Sequence, residues 1–441
     1  MKETIIQFGT GNFLRGFADY FVDALNKQGL YEGKIAIVSP TDSANTEKIN
    51  QQKGKYNLLI RGLEDGKEVN ERIEIQAVTR AVNPYQDFDA FLALASNPDF
   101  RFIISNTTEA GISFDETCAL SDKPAASFPG KLTQLLYARF QKGLPGFAIL
   151  ACELIDHNGD ELKSCVLRYA QKWALGEAFT KWVIEENDFC NTLVDRIVTG
   201  FPKEEANKIW GEAGYEDRLL DTAEPYHLWV IEGNYETELP LKKAGFHVIW
   251  TEDVAPYKKM KVRILNGAHT SLVFPSLLCG VEAVGDSLKD PQLMEYLNTC
   301  LFEYILPTLG ETEENKAFAA AVLERFGNPY IRHLWKAIAL NSVSKFSARV
   351  LPTTTDYVDK KQELPRPLVF ALAALIAYYK TEEVSDDAKA VAFIKENAVD
   401  AILANRALWG EDLSHMTELV QESLDRIHNE GIRKGVAWSL S

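Results

Sequence analysis

Glu3–Phe8 is a short β-type run, and Gly9-Thr-Gly11-Asn-Phe-Leu-Arg15-Gly16 follows it without a spacer. Phe17–Lys27 comes next and reads as an amphipathic helix, with Phe17, Tyr20, Phe21, Ala24 and Leu25 on one side. Strand, glycine turn, helix is the context in which backbone N–H groups and a helix dipole meet a pyrophosphate. The spacing departs from GxGxxG, since Leu14 holds the third glycine position and the next glycine is Gly16. A glycine-rich turn that binds no nucleotide satisfies the same pattern, so the turn alone leaves both readings open.

The segments that follow repeat the strand–helix unit. Lys34–Val38 is a buried-type strand of the kind parallel sheets use. It ends in Ser39-Pro40-Thr41-Asp42, where Asp42 is a displaced candidate for the ribose hydroxyls; no arginine follows, which favours NAD over NADP. Tyr56–Arg61 and Arg72–Val78 read as strands of an extension, and Asp87–Leu94 as a helix. Phe100–Ser105 is a core strand opening into the polar loop Asn106-Thr107-Thr-Glu109-Ala-Gly111. Open α/β sheets place ligands at such strand ends, although a turn capping the next helix fits as well. Pro129–Gln141 is helical in pattern, and the strand Phe147–Cys152 runs into Glu153-Leu-Ile-Asp-His-Asn158-Gly159. Residues 160–215 read as mainly helical, with Asp195-Arg196 among them as a surface ion pair. Tyr226–Ile231 and His247–Thr251 close this half as short strands, and the whole indicates a doubly wound, largely parallel sheet.

Beyond Ala255-Pro256 strand signals disappear and helical periods dominate, so we place domains at 1–255 and 256–441. Just past that boundary lies Lys261-Val-Arg-Ile-Leu-Asn266-Gly-Ala-His269. On an α-helix turning ~100° per residue, Asn266 falls ~140° and His269 ~80° around from Lys261, so the three share one arc. Lysine becomes a useful base when burial lowers its pKa, and an amide and an imidazole beside it hold an oxygen by hydrogen bonds. A polar helix face that meets no ligand would look the same. Further on, Arg325, Arg332, Lys345 and Arg349 are candidates for a local anion site in an acidic chain, with a solvated helix face as the alternative.

The formal charge of −16 argues against nucleic acid as the main partner, and no apolar run approaches the ~20 residues of a membrane span. With no signal-peptide pattern and six scattered cysteines lacking any CxxC pair, a cytoplasmic protein with reduced thiols is expected. The seven histidines show neither HxxxH nor HExxH spacing, so no protein-built metal site is expected. Sequence leaves the oligomeric state open between a monomer and a small homo-oligomer.

Together these segments resemble the polyol-specific long-chain dehydrogenase/reductase family, which includes mannitol dehydrogenase and the hexuronate reductases. The family turn G-x-G-x-F-x-R is present as Gly9-Thr-Gly11-Asn-Phe13-Leu-Arg15, and K-x4-N-x2-H as Lys261, Asn266 and His269. Asn191-Thr-Leu-Val-Asp195-Arg196, Glu224-Pro-Tyr-His-Leu-Trp-Val-Ile-Glu232 and Asn328-Pro329 match as well, and Lys345 matches the lysine of the substrate pocket. The resemblance implies a Rossmann-like doubly wound N-terminal domain followed by a mainly α-helical C-terminal domain, an α/β protein using NAD. Within the family, Ser105–Ile112, Cys152-Glu-Leu-Ile and Leu340-Asn-Ser-Val-Ser-Lys-Phe look like the hexuronate branch. Where the mannitol branch has CDNLPxNG this chain has Cys152-Glu-Leu-Ile-Asp-His-Asn158-Gly159, so a second amide at the reacting oxygen does not carry over.

The implied reaction is hydride transfer between NADH and the keto carbon of a keto-hexuronate such as tagaturonate, giving altronate. A fructuronate or mannitol-type dehydrogenase, or a nucleotide-binding sensor without catalysis, are the alternatives. Lys261 is the expected general acid/base, Asn266 the donor to the same oxygen and His269 the group orienting a neighbouring hydroxyl. Gly9, Gly11, Asn12, Phe13, Arg15, Asp42, Ser105, Asn106, Thr107 and Glu109 are the expected cofactor residues. Asn158, Lys345 and Arg349 are the expected substrate residues; a uronate carboxylate on the basic cluster is our inference from charge, not a family motif.

Overall fold

Apolar runs become the buried strands of a parallel sheet in the computed structural model, which describes residues 1–441. In chain order the strands are β1 (Lys2–Phe8), β2 (Gly33–Val38), β3 (Tyr56–Glu64), β4 (Lys67–Ile75), β5 (Val78–Val82), β6 (Phe102–Ser105), β7 (Ala148–Ala151) and β8 (Asp188–Cys190). Six of them form the main sheet in the order β5-β2-β1-β6-β7-β8, and every adjacent pair runs parallel. Side chains alternate across it with period two, so both faces need covering by helices. Ile5, Ile35, Ile37, Phe102 and Ile104 join one apolar cluster with Phe17 and Phe21 of the first helices. Ile6, Phe8, Ala36, Val38 and Ile103 join another with Leu132, Leu135 and Leu136. The order in which strands are added reverses between β1 and β6, which makes their carboxyl ends the switch point of a doubly wound sheet.

Two small sheets accompany the main one. The strands β9 (Thr192–Asp195), β10 (Asp221–Ala223), β11 (Leu228–Glu232) and β12 (Val248–Thr251) complete the set, and the orders are β10-β3-β4 and β12-β11-β9. The stretch 160–215 is mainly helical as expected, through Asn158–Lys172, Glu177–Glu185 and Ala206–Ala213, but β8 and β9 also lie inside it, three and four residues long and too short to show a period. Asp195 and Arg196 are also not a surface pair, since they are only 5% and 6% exposed. The expected helix Phe17–Lys27 is present as Ala18–Lys27, with Phe17 as its N-cap. A short turn, Asn12–Arg15, precedes Ala18–Lys27, and the break falls where a side chain on Gly16 would meet Val198 at 2.9 Å.

The chain clusters into two compact units, 1–61 with 68–255, and 62–67 with 256–441. The second unit is helical apart from one isolated bridge, Ala283 to Leu334, and the tip of the β3–β4 hairpin. Its centre is the helix Arg366–Thr381, whose run from Pro367 to Ile376 is wholly buried. A helix apolar on all sides has to be covered on all sides. The helices Gly267–Leu278 and Thr417–Glu430 pack against it. No helix is long and apolar enough to cross a membrane.

Candidate active site

At the switch point, Gly9 takes φ +139°, and a Cβ there would lie 2.8 Å from the Asn106 carbonyl oxygen. Only glycine is comfortable in that conformation and that space. The contact brings the glycine turn and the Ser105–Thr107 loop together, tied by Asn106 N–H to the Phe8 carbonyl at 3.0 Å. Gly11 is different: it is exposed, and a Cβ on it would meet nothing within 4 Å. As N-cap it offers no side-chain oxygen to the first N–H groups of Asn12–Arg15. Open space over uncapped N–H groups suits a pyrophosphate, so the turn fits a dinucleotide. Asn12 is exposed and Phe13 half-buried beside it.

The side chains around this turn are mostly braces. Arg15 is 5% exposed; it donates to the Leu219 carbonyl at 2.9 Å and to Asn12 Oδ1 at 2.5 Å, and pairs with Asp221 at 3.7 Å. Expected as a cofactor residue, it is turned into the protein. Tyr56 donates to the Arg15 carbonyl and to Asp19 Oδ2, both at 2.9 Å. Burial pushes the fully enclosed Asp19 carboxyl up to about 7, against the Tyr56 hydrogen bond and the Arg15 charge. Asp221 is raised to about 6 by burial, with Arg15 opposing. Arg196 donates to the carbonyls of Gly16 at 2.9 Å and Glu224 at 2.8 Å, and burial lowers it to about 10.

The polar loops after β6 and β7 are braced in the same way. Glu153 is 2% exposed and accepts from Ser105 Oγ, Thr107 N–H and Thr107 Oγ1, each at 3.0 Å. Burial raises its pKa, and the hydrogen bonds from Ser105 and Thr107 oppose that. Asn106 donates to the Cys152 carbonyl at 2.6 Å, while Glu109 is exposed. Asn158 is removed from the substrate set by its own hydrogen bonds. Its amide donates to the Glu153 and Thr192 carbonyls and its oxygen accepts from Gly159 and Thr192 N–H, which uses every polar group it has. Asp42 sits exposed past β2, one oxygen held by Asn83 at 2.8 Å.

In the second unit, Ala255–Lys261 is α-helical, Val262–Asn266 is a π turn and Gly267–Leu278 is α again. The simple α geometry expected from sequence is therefore corrected. The i→i+5 bonding of a π turn makes residues five apart neighbours, bringing Asn266 nearer Lys261 than the ~140° of an α-helix. All three motif residues, Lys261, Asn266 and His269, are half-buried. His269 stacks on Phe326 with ring centres 4.0 Å apart and planes at 13°, and meets His333 edge-on at 5.5 Å. Lys258, one turn before Lys261, is lowered by burial and then by the Lys261 charge.

The helix Ser342–Arg349 packs on this segment, and Gly267 is the reason it can: a Cβ there would lie 3.2 Å from the Arg349 carbonyl oxygen. Lys345 and Arg349, four apart on that helix, share a face. Lys345 donates to the Ile338 carbonyl at 2.8 Å; burial and then Arg349 lower its pKa, and Asp386 opposes them. Burial alone lowers Arg349, whose guanidinium has no hydrogen bond or ion pair within the chain. Arg332 leaves the expected basic cluster, as it is exposed and pairs with Glu282 at 3.0 Å; Arg325 is buried.

A family model for the mannitol dehydrogenase Rossmann domain matches residues 3–243, and one for the mannitol dehydrogenase C-terminal domain matches residues 253–429. The chain belongs to the mannitol dehydrogenase family of oxidoreductases. It is 42% identical to the altronate oxidoreductase of Bacillus subtilis (strain 168), over 98% of this chain and 94% of that one. The altronate oxidoreductase of Yersinia enterocolitica is 43% identical over 99% of this chain and 96% of its own length. Among solved structures, a substrate-free D-sorbitol dehydrogenase superposes with TM-score 0.87 at 25% identity, covering 99% of this chain and 95% of that one. The Pseudomonas fluorescens mannitol 2-dehydrogenase, solved as a ternary complex with NAD and D-mannitol, shares the fold at TM-score 0.71 and 21% identity, covering 100% and 94%.

Proposed function

We propose that this oxidoreductase interconverts a keto-hexuronate, tagaturonate, and its aldonate, altronate, with NAD as redox partner. The observation that carries the acid substrate is Arg349, a half-buried guanidinium without an internal anion, on the helix packed against the Lys261–His269 segment. Desolvating a cation without a partner is unfavourable, so a bound carboxylate completes the arrangement. The resemblance to altronate oxidoreductases along nearly the whole chain supports the same reading.

The main-chain turn Gly9–Phe13 holds the dinucleotide, with Asp42 at its ribose and the Ser105–Glu109 loop beside it. Bound there, a dinucleotide would supply the hydride donor or acceptor. Lys261 protonates the developing alkoxide in reduction, and its neutral amine takes the alcohol proton in oxidation. Asn266 donates to the same oxygen, a hydrogen bond that strengthens as negative charge grows there. His269, fixed flat against Phe326, holds a neighbouring hydroxyl and so aligns the reacting carbon. Lys345 and Arg349 receive the carboxylate.

NADH oxidation measured against tagaturonate, fructuronate and fructose tests the proposal. Tagaturonate should show the highest kcat/KM. A preference for fructose would replace this reading with a neutral-polyol one, and a preference for fructuronate would move it to the sister uronate. NADH binding without turnover on any of the three would leave a sensor.

A further inference from the structure

His333 is a residue to which neither the K-x4-N-x2-H motif nor the Lys345 helix assigns a role. Its ring stands perpendicular to His269, at 79° and 5.5 Å between centres. Lys345 lies close enough that its charge, after burial, opposes protonation of the ring. His333 therefore stands between the group proposed to orient a substrate hydroxyl and a cation proposed to hold the carboxylate.

Its backbone is fixed on both sides. The His333 carbonyl accepts from Val284 N–H at 2.9 Å, Leu334 bridges to Ala283, and Trp335 N–H donates to the Glu282 carbonyl at 2.9 Å. The ring is held in place while neither of its nitrogens finds a hydrogen-bond partner within the chain. The acid that acts on Lys345 is itself engaged by hydrogen bonds: Asp386 accepts from Tyr379 at 2.6 Å, from Val343 N–H at 3.0 Å and from Asp387 N–H at 2.7 Å. His333 meets His269, the Lys345 charge acts on His333 and the Arg349 charge on Lys345, and neither His333 nor Arg349 has an internal hydrogen-bond partner. A carboxylate has about four lone-pair positions to fill, and a neutral imidazole brings one N–H donor.

We propose that His333 is a substrate-binding and specificity-determining residue, which donates to the terminal carboxylate of the hexuronate alongside Lys345 and Arg349. This deepens the proposed function and rests on it. A carboxylate at the end of a six-carbon chain lies several bonds from the reacting carbon. Its donors must then be separate from Lys261 and Asn266, as His333 is in sequence.

The test compares wild type with His333→Leu on tagaturonate and on fructose. Losing one hydrogen bond to a charged group predicts a rise in KM for tagaturonate of about tenfold or more, with kcat/KM for fructose changed less than about threefold. Altronate binding by calorimetry, in the presence of NADH, should weaken in proportion to KM. NADH binding by fluorescence shows whether the first unit is intact. His333→Gln keeps one donor and should recover most of the loss; it carries the comparison if the leucine variant does not fold. Equal losses on both substrates, or unchanged altronate binding in a folded variant, overturn the role of His333 and leave the uronate reading standing. A wild type that prefers fructose overturns both.

Discussion

The glycine turn and the lysine helix are both polar motifs set against apolar elements, yet they employ their side chains in opposite ways. Around the turn, Arg15, Asn106, Glu153 and Asn158 face backbone and neighbouring side chains, leaving main chain and open space above Gly11 for a ligand. On the second unit, Arg349 and His333 keep their polar ends without internal partners. The contrast follows from what each has to recognise. A pyrophosphate is the same in every turnover and is met by backbone N–H groups that every residue except proline supplies. A sugar acid differs from its relatives in the placing of single hydroxyls and one charge, and only side chains discriminate at that scale.

The contrast breaks at Lys261 if it is wrong. Lys261→Ala should lower kcat by roughly 10²–10⁴-fold, the usual contribution of a general acid/base, while NADH binding by fluorescence stays near wild type. Parallel loss of binding would mean that the lysine supports structure in both units. A pair of glycine substitutions sharpens the other side. Gly9→Ala, at φ +139° and 2.8 Å from the Asn106 carbonyl oxygen, should cost about 1–3 kcal/mol in chemical denaturation. Gly11→Ala has room for its Cβ and should leave stability within about 0.5 kcal/mol while weakening NADH binding. Equal destabilisation by both would remove the distinction between brace and binding surface.

A pH-dependent effect concerns the acids beneath the turn. Asp19, ordinarily near 3.8, is raised to about 7, so between those pH values the folded chain holds a proton that the unfolded chain has lost. Stability from this group is complete at low pH and falls as pH rises towards 7, by at most about 1.4 kcal/mol per pH unit. Asp19→Asn should flatten that limb in denaturation curves taken from pH 5 to 8. His227, lowered by burial to about 4, acts in the other direction, since the unfolded chain takes up a proton first as pH falls below 6.5. An unchanged slope in Asp19→Asn would place the titration elsewhere.

Much of the fold was legible because the strands β1, β2, β6 and β7 are unbroken apolar runs with glycines or polar loops at their ends. The strand β5 was hidden by Thr79 and Arg80, and β8 and β9 by their length. The proposed centre was legible as K-x4-N-x2-H, whereas His333 was not, because no spacing ties it to that motif. It stands beside His269 only through packing of the 282–335 bridge. Asn158 misled in the other direction: an asparagine after a strand has the same appearance in sequence whether it faces a ligand or four backbone groups.

Local chemistry in the sequence determined that a glycine turn joins strand to helix, that apolar runs form a buried parallel sheet, and that a lysine, an amide and an imidazole recur along one helical stretch. These depend on neighbours within a few positions, where hydrophobic period and backbone preference act directly. Tertiary structure alone decided which polar groups keep a free end. It also placed the break at Gly16 against Val198 and the π turn before Gly267, where another helix comes within contact of the backbone. The physical reason is that a side chain's hydrogen bonds go to whatever packing brings within about 3 Å, and those partners lie far away along the chain.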